Sequence, residues 1–218
     1  MKIFGTDYDG VIINIEPQKA EAFGNLLNKE WNIDKQEAGK LWIATGGTSR
    51  RYKFDFYYQK QFNMQLSDAE YKLVEKKFSD LLKSEYYPKL ELLPGALELL
   101  KYTKQSFDFS FVSSGVPMEE INYLVNLNGI SKYFDLVLGT DETYKTKNNH
   151  FKKIIDEKNP DILIFIADGL EDMKVTKEFS VIQSIAITSN HSKEELIDAG
   201  AKNVVDNLNQ ALSLIEHL

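Results

Sequence analysis

The 218-residue chain has no cysteine at all. That excludes disulfide frameworks, thiolate nucleophiles and cysteine-based zinc sites, and it is compatible with a cytoplasmic protein. No uninterrupted apolar window reaches the roughly 18 residues of a membrane span. The opening Met1-Lys2-Ile3-Phe4 is too short an apolar run for a signal peptide. Only three histidines are present, His150, His191 and His217, and no local spacing joins them into a metal site. Each is read as an ordinary surface or loop residue. Arginine is almost missing too: Arg50 and Arg51 are the only two. With a formal charge of −7, the chain lacks the clustered positive charge that general nucleic-acid binding uses. What remains is an apolar fraction of 43%, enough for a sizeable core.

Against that background one short segment stands out. Lys2-Ile3-Phe4-Gly5-Thr6 reads as a buried strand, and it delivers Asp7 and Asp9 into a turn at Gly10. Two carboxylates this close repel unless a cation or a shared proton offsets them. Glycine permits the tight turn. An apolar strand feeding paired carboxylates into a glycine turn points to Mg²⁺-assisted phosphoryl transfer. The alternative is a solvated turn, which aspartate also favours. An EF-hand loop is excluded, because Val11-Ile12-Ile13 stands where further oxygen ligands are required.

Further β-type runs follow at Phe109–Ser113, Ile162–Asp168 and Ile182–Thr188, with a weaker one at Leu136–Gly139. Near-continuous apolar runs suit strands covered on both faces of a parallel sheet. Helical patterns lie between them, at Ala96–Lys104, Met118–Asn128, Phe151–Glu157, Glu194–Ala199 and Asn207–His217. The alternation predicts an α/β fold with a doubly wound parallel sheet. Residues 14–89 break the rhythm. They hold four amphipathic patterns, Pro17–Asn28, Asp34–Ala44, Arg50–Phe62 and Ser67–Tyr86, and no strand. The expected organisation is a core of residues 1–13 and 90–218, with an all-helical domain of residues 14–89 inserted after the first strand.

In open α/β sheets ligands bind at the carboxyl ends of the strands. Asp7 and Asp9 follow the first strand. Ser113, Ser114 and Gly115 follow the second, just before a helix. A lysine-bearing loop, Thr143-Tyr144-Lys145-Thr146-Lys147, comes next, and Asp168, Gly169 and Asp172 close the series. Acids, hydroxyls and a cation therefore converge on one sheet edge.

In that order these motifs resemble the haloacid dehalogenase superfamily, and within it the phosphatases with a helical C1-type cap, similar to phosphoglycolate phosphatase and β-phosphoglucomutase. The match rests on Asp7-Tyr8-Asp9-Gly10-Val11, Ser113, Lys147 and Asp168-Gly169-Leu170-Glu171-Asp172. Leu93-Pro94-Gly95-Ala96 resembles the segment that re-enters the core. Two positions depart from the pattern: Asn148 stands where proline is usual, and Ala167 precedes Asp168 in place of glycine.

The resemblance implies a Rossmann-like core and an aspartyl-phosphate mechanism. Asp7 would be the nucleophile and Asp9 the general acid and base. Mg²⁺ would be held by Asp7, the Asp9 carbonyl and Asp168, with Asp172 binding it directly or through water. Ser113 would contact a phosphoryl oxygen, with the Ser114 and Gly115 backbone N–H groups adding to that cradle. Lys147 would offset the gathered negative charge.

Plainer readings run alongside. Either serine can cap the next helix, and Asp172 can do the same. Lys145, Lys152 and Lys153 compete with Lys147. Arg50 follows Thr45-Gly46-Gly47-Thr48-Ser49 and would reach a substrate phosphate or carboxylate, or simply start a helix in solvent. The aromatic run Tyr52, Phe54, Phe56, Tyr57 and Tyr58 reads as cap packing, as do Trp31 and Trp42. The expected activity is Mg²⁺-dependent hydrolysis of a small phosphorylated metabolite. The rivals are a phosphomutase with the same site and a catalytically silent protein of the same fold. Oligomeric state is not legible.

Overall fold

The computed structural model describes residues 1–45 and 48–218. The chain divides into two compact units, one of Met1–Asn14 with Glu91–Leu218, the other of Ile15–Leu90.

The first unit is built on a six-stranded parallel sheet in the order β3-β2-β1-β4-β5-β6. Its strands are β1 (Lys2–Thr6), β2 (Phe109–Pro117), β3 (Leu136–Thr140), β4 (Ile162–Ala167), β5 (Ile182–Ile187) and β6 (Asn203–Val205). The strand order turns back at β1, so the crevice between the carboxyl ends of β1 and β4 is the switch point where such sheets bind ligands. β1 is buried on both sides. Gly5 pairs with Phe111 of β2 and Phe165 of β4. A Cβ on Gly5 would lie 2.4 Å from the Phe111 ring and 2.9 Å from Phe165. The missing side chain is what lets Phe111, Phe165 and Phe151 pack together, the last two with ring centres 4.7 Å apart. β6 is an addition to the sequence reading. It has three half-buried residues, too few to show a period.

Helices connect the strands: α5 (Ala96–Ser106), α6 (Met118–Leu127), α7 (Lys147–Lys158), α8 (Leu170–Lys177), α9 (Lys193–Ala199) and α10 (Leu208–Ile215). The chain leaves and rejoins this unit on adjacent tracks. Ile13 bridges Leu92, and the Leu93 N–H donates to the Ile12 carbonyl at 2.9 Å.

The second unit is helical: α1 (Glu16–Trp31), α2 (Lys35–Ala44), α3 (Arg50–Phe62) and α4 (Asp68–Leu81). The starts of α2, α3 and α4 are set by side chains. Asp34 accepts from the Glu37 N–H, Ser49 from the Tyr52 N–H, and Ser67 with Glu70 forms a complete capping box. The expected last helix, Ser67–Tyr86, changes character at Leu82. A π-helical turn (Leu82–Tyr86) and a 3₁₀ turn (Tyr87–Lys89) follow, the latter holding Pro88, which cannot continue an α ladder. The interior is aromatic. Phe23 lies 5.1 Å from both Trp42 and Phe54 and 6.0 Å from Phe78. Phe54, Tyr57 and Trp42 are buried, whereas Tyr52 and Phe56 are exposed. Packing therefore takes one face of the aromatic run and leaves the other to solvent. Among the described residues no helix is long and apolar enough to cross a membrane.

Candidate active site

Asp7 sits one residue past β1, and its N–H still donates to the Ile166 carbonyl of β4 at 2.8 Å. That bond extends the sheet by a residue and fixes the carboxylate over the switch point. One carboxylate oxygen, Oδ1, accepts the Tyr8 N–H at 2.7 Å, and Oδ2 lies 2.8 Å from Lys147 Nζ. Asp7 is buried. Burial raises its pKa, Lys147 pulls it back, and the Asp172 charge raises it further, for a net rise.

Lys147 is the first residue of α7, which begins four residues before the expected start. Its ammonium bridges Asp7 Oδ2 and Asp172 Oδ1, the second at 2.5 Å. Burial opposes its charge, but the two carboxylates outweigh that and its pKa rises. Lys145 is exposed, and among the lysines that competed at sequence level Lys147 is the one paired with Asp7.

Asp168 directly follows β4. Its Oδ2 accepts from Ser189 Oγ at 2.7 Å and from Asn190 Nδ2 at 3.2 Å. Burial, then the Asp7 charge, raise its pKa. Asp172 lies in the first turn of α8, whose cap position is Gly169, so Asp172 does not cap that helix. Its pKa is raised by burial and by Asp168, against the pull of Lys147. Gly10 has φ +76°, and a Cβ there would fall 2.1 Å from Asp168 Oδ2. Only glycine lets the Asp7–Asp9 loop come this close to Asp168. Asp9 is half-buried in that loop.

Ser113 and Ser114 are both buried. The helix expected from Met118 begins there. β2 runs on to Pro117 through a register shift against β3, and α6 starts at Met118. Ser114 Oγ accepts the Val116 N–H at 3.3 Å, and Gly115 is exposed, with open space where a Cβ would stand.

Two expectations change with the side chains in place. His150 is not a surface residue. It is fully buried on α7, with Nδ1 2.8 Å from Ser113 Oγ and Nε2 3.0 Å from the Gly139 carbonyl. Arg50, expected either to reach a substrate or to start a helix in solvent, is the first residue of α3 in the helical unit and is not left to solvent. Its guanidinium donates to Glu75 Oε1 at 3.0 Å and Ser79 Oγ at 3.2 Å, and it lies over the Phe78 ring. Those contacts tie α3 to α4. Gly46 and Gly47, the turn before it, lie outside the described residues.

The donor set suits a hard cation. Asp7, Asp168 and Asp172 are buried carboxylates facing a single lysine, and all three are made harder to ionise. Among the described residues no three acidic or histidine groups already surround one point closely enough to form a ready-made metal cage. Mg²⁺ does not need one, since it keeps several waters and takes one or two carboxylates.

A model of the haloacid dehalogenase-like hydrolase family matches residues 3–199. No curated protein matches the sequence. Among solved structures, one described as a predicted phosphoglycolate phosphatase from Haemophilus somnus 129PT superimposes with a TM-score of 0.82 at 18% identity, covering 99% of this chain and 98% of that one. A predicted phosphatase from Clostridium acetobutylicum gives 0.78 at 21%, covering 100% and 99%. A Thermotoga maritima protein provisionally described as a β-phosphoglucomutase gives 0.77 at 18%, covering all of both chains. At these identities the structures share the fold. The family model spans most of the sequence and carries its motifs, and the chain belongs to the haloacid dehalogenase-like hydrolase family.

Proposed function

We propose that the chain is a Mg²⁺-dependent phosphatase that hydrolyses small phosphate monoesters through a covalent intermediate on Asp7. The observation that carries this reading is the buried Asp7 carboxylate, held at the switch point by Lys147 and flanked by Asp168 and Asp172. An anionic nucleophile attacking an anionic ester needs such a cation and such burial.

The Asp7 carboxylate attacks phosphorus, and the P–O bond to the leaving group breaks. Asp9 gives its proton to the departing alkoxide. In the second step Asp9, now ionised, takes a proton from water. That water attacks the phosphorus, the acyl–phosphate linkage breaks, and Asp7 and inorganic phosphate are released. Lys147 offsets charge on Asp7 and the phosphoryl group, and Ser113 and Ser114 face a phosphoryl oxygen. Mg²⁺ would be held by Asp7, Asp168 and the Asp9 carbonyl, with Asp172 binding it directly or through water, and would supply charge neutralisation and orientation of the phosphoryl group. The helical unit acts as a cap that excludes water and selects a small phosphorylated metabolite.

Release of phosphate from p-nitrophenyl phosphate with Mg²⁺ is the direct test. Asp7→Asn should bring it to background, because an amide is a poor nucleophile. Equal rates for wild type and Asp7→Asn would remove Asp7 from the mechanism and end this reading.

A further inference from the structure

α7 sets Lys147, half-buried, at its first position and His150, fully buried, about one turn later. The two bonds of His150 fix its proton. The Gly139 carbonyl can only accept, so Nε2 carries the hydrogen. In the neutral ring Nδ1 is then bare, and the Ser113 hydroxyl must donate to it. Burial, helped by the Lys147 charge, holds the ring neutral with a pKa lowered to about 4, against the opposing pull of the Gly139 carbonyl and Asp141. The Tyr144 ring centre lies 6.0 Å away.

Ser113 therefore has one proton and two claimants. A phosphoryl oxygen also only accepts. If the hydroxyl turned to the anion while the ring stayed neutral, a buried Nδ1 would lose its partner.

We propose that His150 is a positioning residue for Ser113: when a tetrahedral dianion binds, Nδ1 takes a proton from solvent and the hydrogen bond reverses. The imidazolium then donates to Ser113 Oγ, and the Ser113 hydroxyl donates to the anion. This rests on the phosphoryl-site reading above. Its consequence is that anion binding takes up a proton at His150, so affinity rises about tenfold per unit fall in pH over the window between the free and bound pKa values of the ring.

Sulfate is a suitable probe, since it stays dianionic throughout that window. In full-length protein labelled with ¹⁵N, the His150 Nδ1 signal should move from the bare to the protonated position on saturation with sulfate at pH 6. His191 and His217 serve as internal controls. Calorimetry in buffers of different ionisation enthalpy should show up to one more proton taken up by wild type than by His150→Asn, and no such difference in a Ser113→Ala background. An unmoved Nδ1 signal, or equal proton uptake in wild type and His150→Asn, overturns the proposal. The ring signal is read in wild type, so it decides the matter even if the variant folds poorly. Hydrolysis of p-nitrophenyl phosphate with an unmoved ring would overturn only the role of His150. Absence of both hydrolysis and sulfate binding would overturn the phosphoryl-site reading as well.

Discussion

At the scale of single residues, the site is an electrostatic compromise. Three buried carboxylates share one lysine, so the folded protein holds Asp7, Asp168 and Asp172 at pKa values above their ordinary range. The folded state then binds protons that the unfolded chain has already lost. Metal-free stability should accordingly fall as pH rises from about 4 through the raised values. Asp168→Asn removes one of these charges while keeping an oxygen for Ser189. Melting curves in EDTA should show the variant more stable than wild type at pH 7, with the gap closing toward pH 4. Lys147→Gln does the reverse, leaving the acids without their cation. We expect a loss of about 3 kcal/mol in urea unfolding at pH 7, together with loss of activity. His150 was the residue that sequence reading missed. The signal was present: it stands one helical turn after Lys147 and beside Phe151 and Ile154, which are buried. Starting the helix at Phe151 hid the shared face.

At the scale of elements, strands and caps were legible because their signals are local. The buried runs of β1, β2, β4 and β5 are nearly unbroken apolar stretches, and Ser67 with Glu70 announces α4. The end of β2 was not legible. Ser113-Ser114-Gly115 looks like a turn, yet pairing with β3 carries the strand to Pro117. Long-range hydrogen bonding overrode the local preference of serine and glycine. Gly5 shows a related limit. Glycine weakens a strand on its own, and only the rings of Phe111 and Phe165 explain it. Gly5→Ala should therefore destabilise by about 1–3 kcal/mol in urea unfolding through overpacking, despite the better strand propensity of alanine.

At the scale of the whole molecule, the proposed Mg²⁺ site would link metal binding to folding. Mg²⁺ that relieved the repulsion among the carboxylates would bind the folded chain and not the unfolded one. Thermal melts should therefore shift upward with Mg²⁺, by about 2.7 kcal/mol of stability at a hundredfold excess over its Kd. EDTA should reverse the shift, and Asp168→Asn should blunt it. The sequence by itself determined the α/β rhythm, the helical insertion between the first strand and its return at Leu93, and the order of Asp7, Ser113, Lys147 and Asp168. Periodicity, turn chemistry and motif order are properties of neighbouring residues, and they survive without coordinates. Only the tertiary structure decided which groups meet. It gave Lys147 both Asp7 and Asp172, committed Arg50 to Glu75, and buried His150 against Ser113. Those pairings depend on sheet order, helix phase and exclusion of water, and none of these is a property of any single stretch of the chain.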